Sequence, residues 1–341
     1  MNKIEFGDCR DTMRKWASEG VKVQTCVTSP PYFGLRDYGH DGQIGLEQTP
    51  EQYIAAMVEV FQCVKDVLAD DGTLWLNIGD SYAAQRGGTH MPAQTVSGGV
   101  GGKGDDKAFR GMGDEKRGAA HRNASAIGLK HKDLIGIPWM LAFALRADGW
   151  YLRQDIIWHK PNPMPESVRD RCTKAHEYIF LLSKSDRYFF DNEALKEPSV
   201  TPVDMQIAKR NKAPHKGQRD SGMRETTGGF DKITRVYETR NRRSVWTVAT
   251  RPYKGAHFAT FPTALIEPCI LAGSRPNDIV LDPFMGSGTT AQVAIQHGRQ
   301  YLGCELNPEY EALQQERIAK AMPAIVDDPQ LSFVLEMANA P

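Results

Sequence analysis

The stretch DIVLDPFMGSGTTAQVAI, residues 278–295, combines an apolar run, a glycine loop and the start of a helical pattern. The run ends in Asp282, and the loop that follows holds two glycines, Gly286 and Gly288. Glycine tolerates positive φ and lets the backbone approach a ligand closely, at the point where a helix N-terminus presents free N–H groups. No Lys-Ser/Thr pair follows the second glycine, which excludes a phosphate-binding P-loop. The stretch therefore predicts a strand, a ligand-binding loop and a helix within an α/β fold.

The loop matches the pattern GxGxxA, with Ala291 in the last place, and this pattern is typical of loops that bind dinucleotides. Glu305 ends the next apolar run, where a carboxylate can accept hydrogen bonds from both ribose hydroxyls. These features suit NAD, the cofactor of an oxidoreductase, as well as other adenosine ligands. A carboxylate at Asp282 would repel a pyrophosphate and would suit a cation, such as the ammonium group of S-adenosylmethionine.

Seven short apolar runs along the chain are interpreted as β-strands, with helical patterns between most of them. The runs cover residues 3–8, 23–29, 73–79, 154–160, 177–183, 278–284 and 299–306. The helical patterns cover residues 49–72, 137–149, 262–273, 288–298 and 308–322. This alternation predicts an α/β fold with a seven-stranded, mostly parallel sheet and helices on both faces. The fourth and fifth runs are joined by a proline-rich loop without a helix, which predicts one antiparallel strand.

A second stretch, CVTSPPYFGLRDYG at residues 26–39, ends a buried run with a hydroxyl group, two prolines and an aromatic ring. Proline has no N–H for the strand ladder, so the strand has to stop there. One interpretation is purely structural, because every strand must end. The other is chemical: a rigid turn holds the Ser29 hydroxyl and the Tyr32 ring at fixed positions above the edge of a sheet.

The composition is that of an ordinary globular protein, with two segments that depart from it. The chain has 341 residues, 40% hydrophobic and 25% charged, and a net charge of zero. Residues 84–130 contain eleven glycines and predict a mobile loop insertion. Residues 199–257 carry a net charge of +8. A basic segment in a neutral protein indicates a surface that faces a polyanion, although a solvated insert has the same composition.

Several classes of protein do not fit this sequence. No apolar run approaches the ~20 residues of a membrane span, and the start MNKIEFGDCRD is not that of a signal peptide. The six cysteines form no CxxC pair and no metal-binding spacing, so they are interpreted as reduced cytosolic thiols and no metal site is expected. Cys269 lies in an apolar helical run and is not expected to act as a nucleophile.

Together the two stretches resemble those of the beta-group DNA amino-methyltransferases, whose signature is a (D/N/S)-PP-(Y/F/W) turn followed by a DPFxGxGTT loop. This chain has TSPPY at 28–32 and DPFMGSGTT at 282–290, in the beta-group order. The similarity continues in IIWHKPNPMPES, AHEYIFLLSKS, HFATFP and GCELNPEY. It covers nearly the whole chain apart from residues 84–130, parts of 199–245 and the C-terminal tail. The resemblance implies the S-adenosylmethionine-dependent methyltransferase fold, circularly permuted.

The resemblance also implies roles for individual residues. The catalytic turn would be Ser29, Pro30, Pro31 and Tyr32. The Ser29 hydroxyl and the Pro30 carbonyl would accept the two N–H groups of a base amino group, and Tyr32 would stack on the flipped base. S-adenosylmethionine would be bound by Asp8, Cys9, Thr28, Thr260, Asp282, Phe284, Gly286, Ser287, Gly288, Thr289 and Glu305.

The same resemblance divides the chain and suggests its partners. Residues 1–198 and 258–320 would form one catalytic domain, residues 199–257 a target-recognition segment, and residues 321–341 a tail. The candidates for DNA contact are Arg240, Arg242, Arg243 and Trp246. The partner would be double-stranded DNA, with a cognate restriction endonuclease as a further candidate. The protein would act as a monomer or homodimer in the cytoplasm of a prokaryotic or phage-infected cell.

The target base is inferred from Ser29. In the family, serine at this position is associated mostly with cytosine, and Asp or Asn mostly with adenine. The sequence thus favours cytosine-N(4) DNA methylation, with adenine-N(6) methylation as the alternative. An RNA or small-molecule methyltransferase agrees less well with the serine form of the turn and the basic segment. A catalytically silent DNA-binding module would not need Ser29, Tyr32 and Asp282 together.

Overall fold

The computed structural model describes residues 1–35, 37, 39–40, 42–84, 124, 127–199, 237–250 and 261–321. The chain divides into two compact units, residues 1–191 with 244–341, and residues 192–243. The predicted domain boundaries at residues 198 and 258 stay a prediction. Most of the predicted loop 84–130, of the segment 199–257 and of the tail 321–341 lies outside the described residues.

The first unit contains an eight-stranded sheet with the spatial order β1-β10-β9-β2-β3-β5-β4-β8. The described strands are, in chain order, β1 (Asn2–Phe6), β2 (Val23–Thr28), β3 (Leu68–Ile78), β4 (Tyr151–His159), β5 (His176–Ser183), β6 (Glu197–Pro198), β7 (Thr239–Arg240), β8 (Val245–Thr247), β9 (Ile279–Asp282) and β10 (Gln300–Glu305). Strand β5 runs antiparallel to β3 and β4, and the other pairs of this sheet are parallel. All seven predicted strands and the predicted antiparallel strand are therefore confirmed.

The eighth strand of the sheet, β8, was not predicted. Val245–Thr247 lies in the basic segment and pairs in parallel with β4, so that Trp158 is opposite Trp246. Both indole rings are buried, with 4% of each residue exposed. The burial of these two rings explains why the end of the basic segment belongs to the first unit.

Helices cover both faces of the sheet, as predicted. They are α1 (Cys9–Ser18), α2 (Pro50–Val67), α3 (Ile137–Ala147), α4 (Thr263–Gly273), α5 (Thr289–Gln296) and α6 (Glu311–Ala321), with short 3-10 turns at Glu193–Leu195 and Pro308–Tyr310. Cys26, Leu74 and Leu76 belong to one core cluster with α1, α2 and α3. On the other face, a Cβ at Gly273 of α4 would lie 2.6 Å from Thr25 Oγ1. Successive strand residues point to opposite faces, so the two sets of helices lie on opposite sides.

Two helices differ from the sequence prediction. Helix α1 was not predicted; its N-cap is Asp8, and it buries Met13 and Trp16. Helix α2 begins after the N-cap Thr49 as expected but ends at Val67 instead of residue 72. The chain leaves the helix early because Leu68 already pairs with Val23 in the β2–β3 ladder. Among the described residues, no helix is both long and apolar enough to cross a membrane.

The second unit contains a pair of short antiparallel strands, β6 and β7. The Arg240 Nε donates to Glu197 Oε1 at 2.8 Å, which joins the two strands by an ion pair. The backbone N–H of Ser199 donates to Glu238 O at 2.7 Å. The first residue of the predicted target-recognition segment thus pairs with a residue 39 positions later in that segment.

Candidate active site

The functional side chains gather at one edge of the main sheet, where the parallel strands β1, β2, β3, β9 and β10 end. Strand β5 is antiparallel, so its first residues lie at the same edge; the register pairs Ile78 with Tyr178 and His159 with His176. The carboxyl ends of parallel strands form the usual ligand-binding edge of an α/β sheet. Two sites lie along it. The glycine-loop site comprises residues 282–290 with Asp8 and Glu305, and the proline-turn site comprises residues 29–32 with Asn77, Gly79, Lys160 and Glu177.

Asp282 is buried at the start of the glycine-loop site, with 1% of its surface exposed. Its carboxylate accepts hydrogen bonds from Thr28 Oγ1 and Thr290 Oγ1, each at 2.6 Å, and from the Phe284 N–H at 3.0 Å. Burial raises the pKa of Asp282 to about 6, and the three hydrogen bonds oppose that rise. Asp282 therefore ties the end of β2 to the glycine loop, and its predicted contact with a cofactor ammonium group stays a prediction.

The glycine loop adopts the conformation that its glycines permit. Gly286 and Gly288 have φ of 53° and 83°, in the left-handed region that favours glycine. The Gly286 N–H donates to Glu305 Oε2 at 2.7 Å, and the Asn307 N–H donates to Glu305 Oε1 at 2.9 Å. Burial raises the pKa of Glu305. Each Glu305 oxygen retains a further lone pair, so the carboxylate can still accept ribose hydroxyls.

Two predicted cofactor residues, Thr289 and Phe284, hold the loop in place. Thr289 is buried at the start of α5, where its hydroxyl accepts a hydrogen bond from the Arg317 guanidinium. The Phe284 ring packs against the hydrophobic core and is half-buried. These contacts connect the loop to α6 and to the core, which fixes the backbone that faces a ligand.

Asp8 and Cys9 lie at the end of β1, adjacent to Glu305. Asp8 caps α1 by accepting the Arg10 N–H at 2.8 Å, and the Arg10 guanidinium lowers the pKa of Asp8. The Gly7 N–H donates to the Glu305 backbone carbonyl at 2.8 Å, which joins this turn to the end of β10. Cys9 is buried, and burial raises the pKa of its thiol to about 12. The thiol is therefore an unreactive packing group.

The residues of the glycine-loop site fit an adenosine ligand. Ser287 lies between the two loop glycines, and its buried hydroxyl has no hydrogen-bond partner in the described part of the chain. A buried polar atom without a partner is rare unless a ligand or water completes it. The Ser287 hydroxyl and the remaining lone pairs of Glu305 together offer polar contacts to a ligand. Thr260, the remaining predicted cofactor residue, lies outside the described residues.

The proline turn is held rigidly at the end of β2. Pro30 is buried, and Tyr53 Oη donates to the Pro31 carbonyl at 2.9 Å. A Cβ at Gly45 would lie 3.2 Å from the Tyr32 carbonyl, so a neighbouring loop packs closely against the turn. Ser29 is half-buried next to these anchored residues. Its hydroxyl is thereby presented at a fixed position at the sheet edge.

A charged pair that the sequence analysis missed supports Tyr32. Tyr32 Oη donates to Glu177 Oε2 at 2.8 Å, and Lys160 Nζ forms a short ion pair with Glu177 Oε1. Asn77 Nδ2 lies 3.4 Å from the same carboxylate. A Cβ at Gly79 would lie only 2.7 Å from the Tyr32 ring, so the ring rests directly on the backbone. Burial and the Glu177 charge raise the pKa of Tyr32 well above its usual value.

The predicted DNA-contact residues differ in their surroundings. The prediction that Trp246 contacts DNA needs correction. Only 4% of this residue in β8 is exposed, so its ring packs in the core and is not available to a DNA groove. Arg240 is paired with Glu197. Arg242 is half-buried and Arg243 is exposed.

Cys269 is buried in α4, in agreement with its expected structural role. The described residues contain no cluster of three or more His, Cys, Asp or Glu side chains suited to a metal ion.

Known DNA methylases are similar to this chain over most of its length. The family model N6_N4_Mtase, DNA methylase, matches residues 23–316. The Type II methyltransferase M.Cfr9I of Citrobacter freundii is 48% identical over 92% of this chain and 86% of its own length. The Type II methyltransferase M.SmaI of Serratia marcescens is 47% identical over 93% of this chain and 91% of its own.

Solved structures share the fold at low sequence identity. TTHA0409 of Thermus thermophilus, described as a DNA modification methylase and solved with S-adenosyl-L-methionine, has a TM-score of 0.55 and 20% identity over 95% of this chain and 96% of its own. The PvuII DNA methyltransferase, described as cytosine-N4-specific, has a TM-score of 0.57 and 16% identity over 98% of this chain and 90% of its own. The predicted S-adenosylmethionine-dependent methyltransferase fold is therefore confirmed.

Proposed function

The chain belongs to the N6_N4_Mtase family of DNA methylases, and from that premise we propose that it methylates the N(4) amino group of cytosine at a specific site in duplex DNA. The observation that carries this proposal is Ser29 in the rigid turn TSPPY. Its neutral hydroxyl stands where family members that act on adenine mostly have a carboxylate or an amide. Both N6 and N4 appear in the name of the matching family, so adenine-N(6) is the alternative.

The glycine-loop site holds S-adenosylmethionine, which supplies a methyl group activated on a sulfonium centre. Glu305 is suited to the ribose hydroxyls, because each of its oxygens has a lone pair left after binding a backbone N–H. The Ser287 hydroxyl offers a further polar contact. Asp282 keeps the loop in place and adds a carboxylate beside the methionine end of the site.

The proline-turn site prepares the amino group of the target base. Such an amino group is a poor nucleophile, because its lone pair is delocalised into the ring. We assign the Ser29 hydroxyl and the Pro30 carbonyl as acceptors for its two N–H groups, which favours a tetrahedral nitrogen with a directed lone pair. Tyr32 offers a ring of fixed orientation for stacking the flipped base, and stacking contributes ~1–3 kcal/mol toward the cost of unstacking.

Site recognition and biological context extend the proposal. We assign target recognition to residues 199–257, with Arg242 and Arg243 as candidates for DNA contact, because this segment carries the excess positive charge. The relatives M.Cfr9I and M.SmaI are Type II methyltransferases of bacteria. By this similarity we propose a bacterial restriction–modification role in the cytoplasm, beside a cognate endonuclease, with the protein acting as a monomer or homodimer.

The test is to identify the modified nucleoside. DNA methylated by the purified protein is digested completely, and the two isomers of methylcytosine are separated chromatographically before mass spectrometry. The expected product is N(4)-methylcytosine. Methyl-adenine would overturn the choice of base, and 5-methylcytosine would overturn direct transfer to an amino group. Sequencing that detects modified bases gives the site, and replacing residues 199–257 by a relative's segment should change that site without altering cofactor affinity.

A further inference from the structure

Glu177 is a buried carboxylate in the proline-turn site, with 6% of its surface exposed. Burying a charge is costly unless it is paired and hydrogen-bonded. Glu177 is both: it accepts from Tyr32 Oη and Lys160 Nζ, and Asn77 Nδ2 approaches it. The proposed function of the turn uses the Ser29 hydroxyl, the Pro30 carbonyl and the Tyr32 ring, which leaves this buried charge without a role.

One line of contacts in the turn leads from Ser29 toward Glu177. Ser29 lies three residues before Tyr32 in the same turn, and a hydrogen bond with its side chain opposes the burial that raises the pKa of Tyr32. The phenol itself donates to Glu177 Oε2 at 2.8 Å. The phenol is used as a donor here and is held protonated by its surroundings. This series of three side chains therefore runs from the half-buried Ser29 hydroxyl at the sheet edge, through the Tyr32 phenol, to the Glu177 carboxylate, which can only accept hydrogen bonds.

Methyl transfer to an amino group creates a surplus proton. The amino nitrogen forms a bond to the methyl carbon while the carbon–sulfur bond breaks, and the electron pair of that bond goes to sulfur. The nitrogen then carries a positive charge until it releases one proton. A serine hydroxyl alone is a very weak base, so Ser29 needs a group behind it that can receive a proton.

We propose that Glu177 receives this proton through Tyr32 and Ser29. One proton passes from the amino nitrogen to Ser29 Oγ as the Ser29 proton passes to Tyr32 Oη and the Tyr32 proton passes to Glu177, so that each hydroxyl is restored. Ser29 and Tyr32 touch the substrate, whereas Glu177 acts through them and is a positioning residue. The proposal rests on direct amino-methylation and is independent of which base is methylated.

The charges around Glu177 suit an acceptor that starts the reaction ionised. Lys160 contacts it directly from the end of β4, and Lys174 and His176 interact with it from the start of β5. Burial lowers the pKa of Lys174 and of His176. Lys160 also lies 4.3 Å from the Trp158 ring centroid, which restrains its ammonium group beside Glu177.

The test is single-turnover methyl transfer to duplex DNA at saturating cofactor, followed by total methyl incorporation. We expect Glu177→Gln to lower the rate about 10²-fold, because the amide keeps the shape and a hydrogen-bond acceptor but cannot take the proton. Tyr32→Phe keeps the stacking ring and should lose a similar factor. The double variant should be no slower than the slower single variant.

The control is Glu267→Gln, which removes the charge of a carboxylate paired with His297 far along the chain; it should retain the wild-type rate. Losses that multiply in the double variant would overturn the relay, as would a Tyr32→Phe enzyme with nearly full rate. If Glu177→Gln does not fold, as judged by circular dichroism, the rate of Tyr32→Phe alone decides, because a nearly full rate without the phenol leaves no path to Glu177. A wild-type protein that transfers no methyl group to DNA would contradict the proposed function instead.

Discussion

The glycine-loop site and the proline-turn site lie on one sheet edge but are held together in different ways. In the glycine-loop site, two carboxylates accept backbone N–H groups of the loop itself, as Asp282 does from Phe284 and Glu305 does from Gly286. In the proline-turn site, the decisive contacts join side chains that are distant in sequence. Tyr32 and Glu177 are 145 residues apart. The backbone of the glycine loop is thus held largely by carboxylates that accept its own N–H groups, with Thr28 as a distant partner of Asp282, whereas Tyr32 in the proline turn depends on side chains from other strands.

The two sites also handle buried charge differently. Among the described residues, the hydrogen-bond partners of Asp282 are hydroxyl and amide donors, and its pKa is raised to about 6. Glu177 has a lysine ammonium in direct contact. Burial with neutral donors raises the pKa of a carboxyl group, whereas a neighbouring ammonium stabilises the carboxylate form at the start of the reaction. The comparison leads to four predictions.

The largest expected effect is on stability and comes from Lys160→Met. The side chains of Lys160 and Glu177 are 15% and 8% exposed, so the variant leaves an uncompensated buried carboxylate. We expect the free energy of unfolding to fall by about 3–5 kcal/mol in urea denaturation. Lys132→Met is the control, because its pair with Asp170 is 66% and 54% exposed, so its loss should lower the free energy of unfolding far less. Equal losses in the two variants would contradict the contrast.

Ser29→Ala tests whether the two sites act separately. Loss of one preorganised polar contact should lower the single-turnover rate by a factor of order 10²–10³. Cofactor affinity, measured by calorimetry, should be unchanged because the glycine-loop site is intact. Ser18→Ala removes an exposed hydroxyl that bonds only to a helix carbonyl and should have no effect on either quantity. A parallel loss of cofactor affinity in Ser29→Ala would mean that the sites are coupled.

Asp282→Asn tests the raised pKa of Asp282 through the pH dependence of stability. The folded-state pKa is raised above its ordinary value of 3.8, so the folded protein holds this proton more tightly than the unfolded chain. The resulting stabilisation is complete below about pH 4 and is lost as the pH rises through about 6. The unfolding free energy of the wild type relative to Asp282→Asn should therefore fall by ~1–3 kcal/mol between pH 4 and 7. A difference independent of pH would refute the raised pKa.

The smallest expected effect is that of Glu305→Gln on cofactor affinity. The amide retains only one oxygen, so it cannot accept from both Gly286 and Asn307 and still bind two ribose hydroxyls. We expect affinity for S-adenosylmethionine to fall roughly 10-fold to 30-fold, with little change in rate at saturating cofactor. Glu309→Gln, an exposed neighbour, is the control. A rate loss that saturation does not rescue would place Glu305 in the transfer step.

Much of the fold and half of the site could be predicted from local sequence. All seven predicted strands exist, because a buried strand needs a short apolar run whatever its neighbours are. Helix α1 was missed because its sequence, CRDTMRKWAS, is mostly polar and buries only Met13 and Trp16 deeply along one side. Strand β8 was missed because three residues carry too weak a pattern. Trp246 was interpreted as a DNA contact because an aromatic residue in a basic segment has the same signature whether it is exposed or buried.

The sequence by itself determined the glycine loop, the proline turn and the family to which the chain belongs, because these depend on residues that are close together in the chain. The tertiary structure decided which distant side chains meet them. Glu177 and Lys160 looked like ordinary strand-end charges, and the only signal that could have singled out Glu177 was its position at the start of an apolar run. Glu177 becomes part of the site because β5 runs antiparallel, which brings its first residues to the edge where β2 ends. Lys160 follows the end of β4, which pairs with the start of β5 at that edge. A pairing of this kind is set by strand register, and register is a property of the folded sheet.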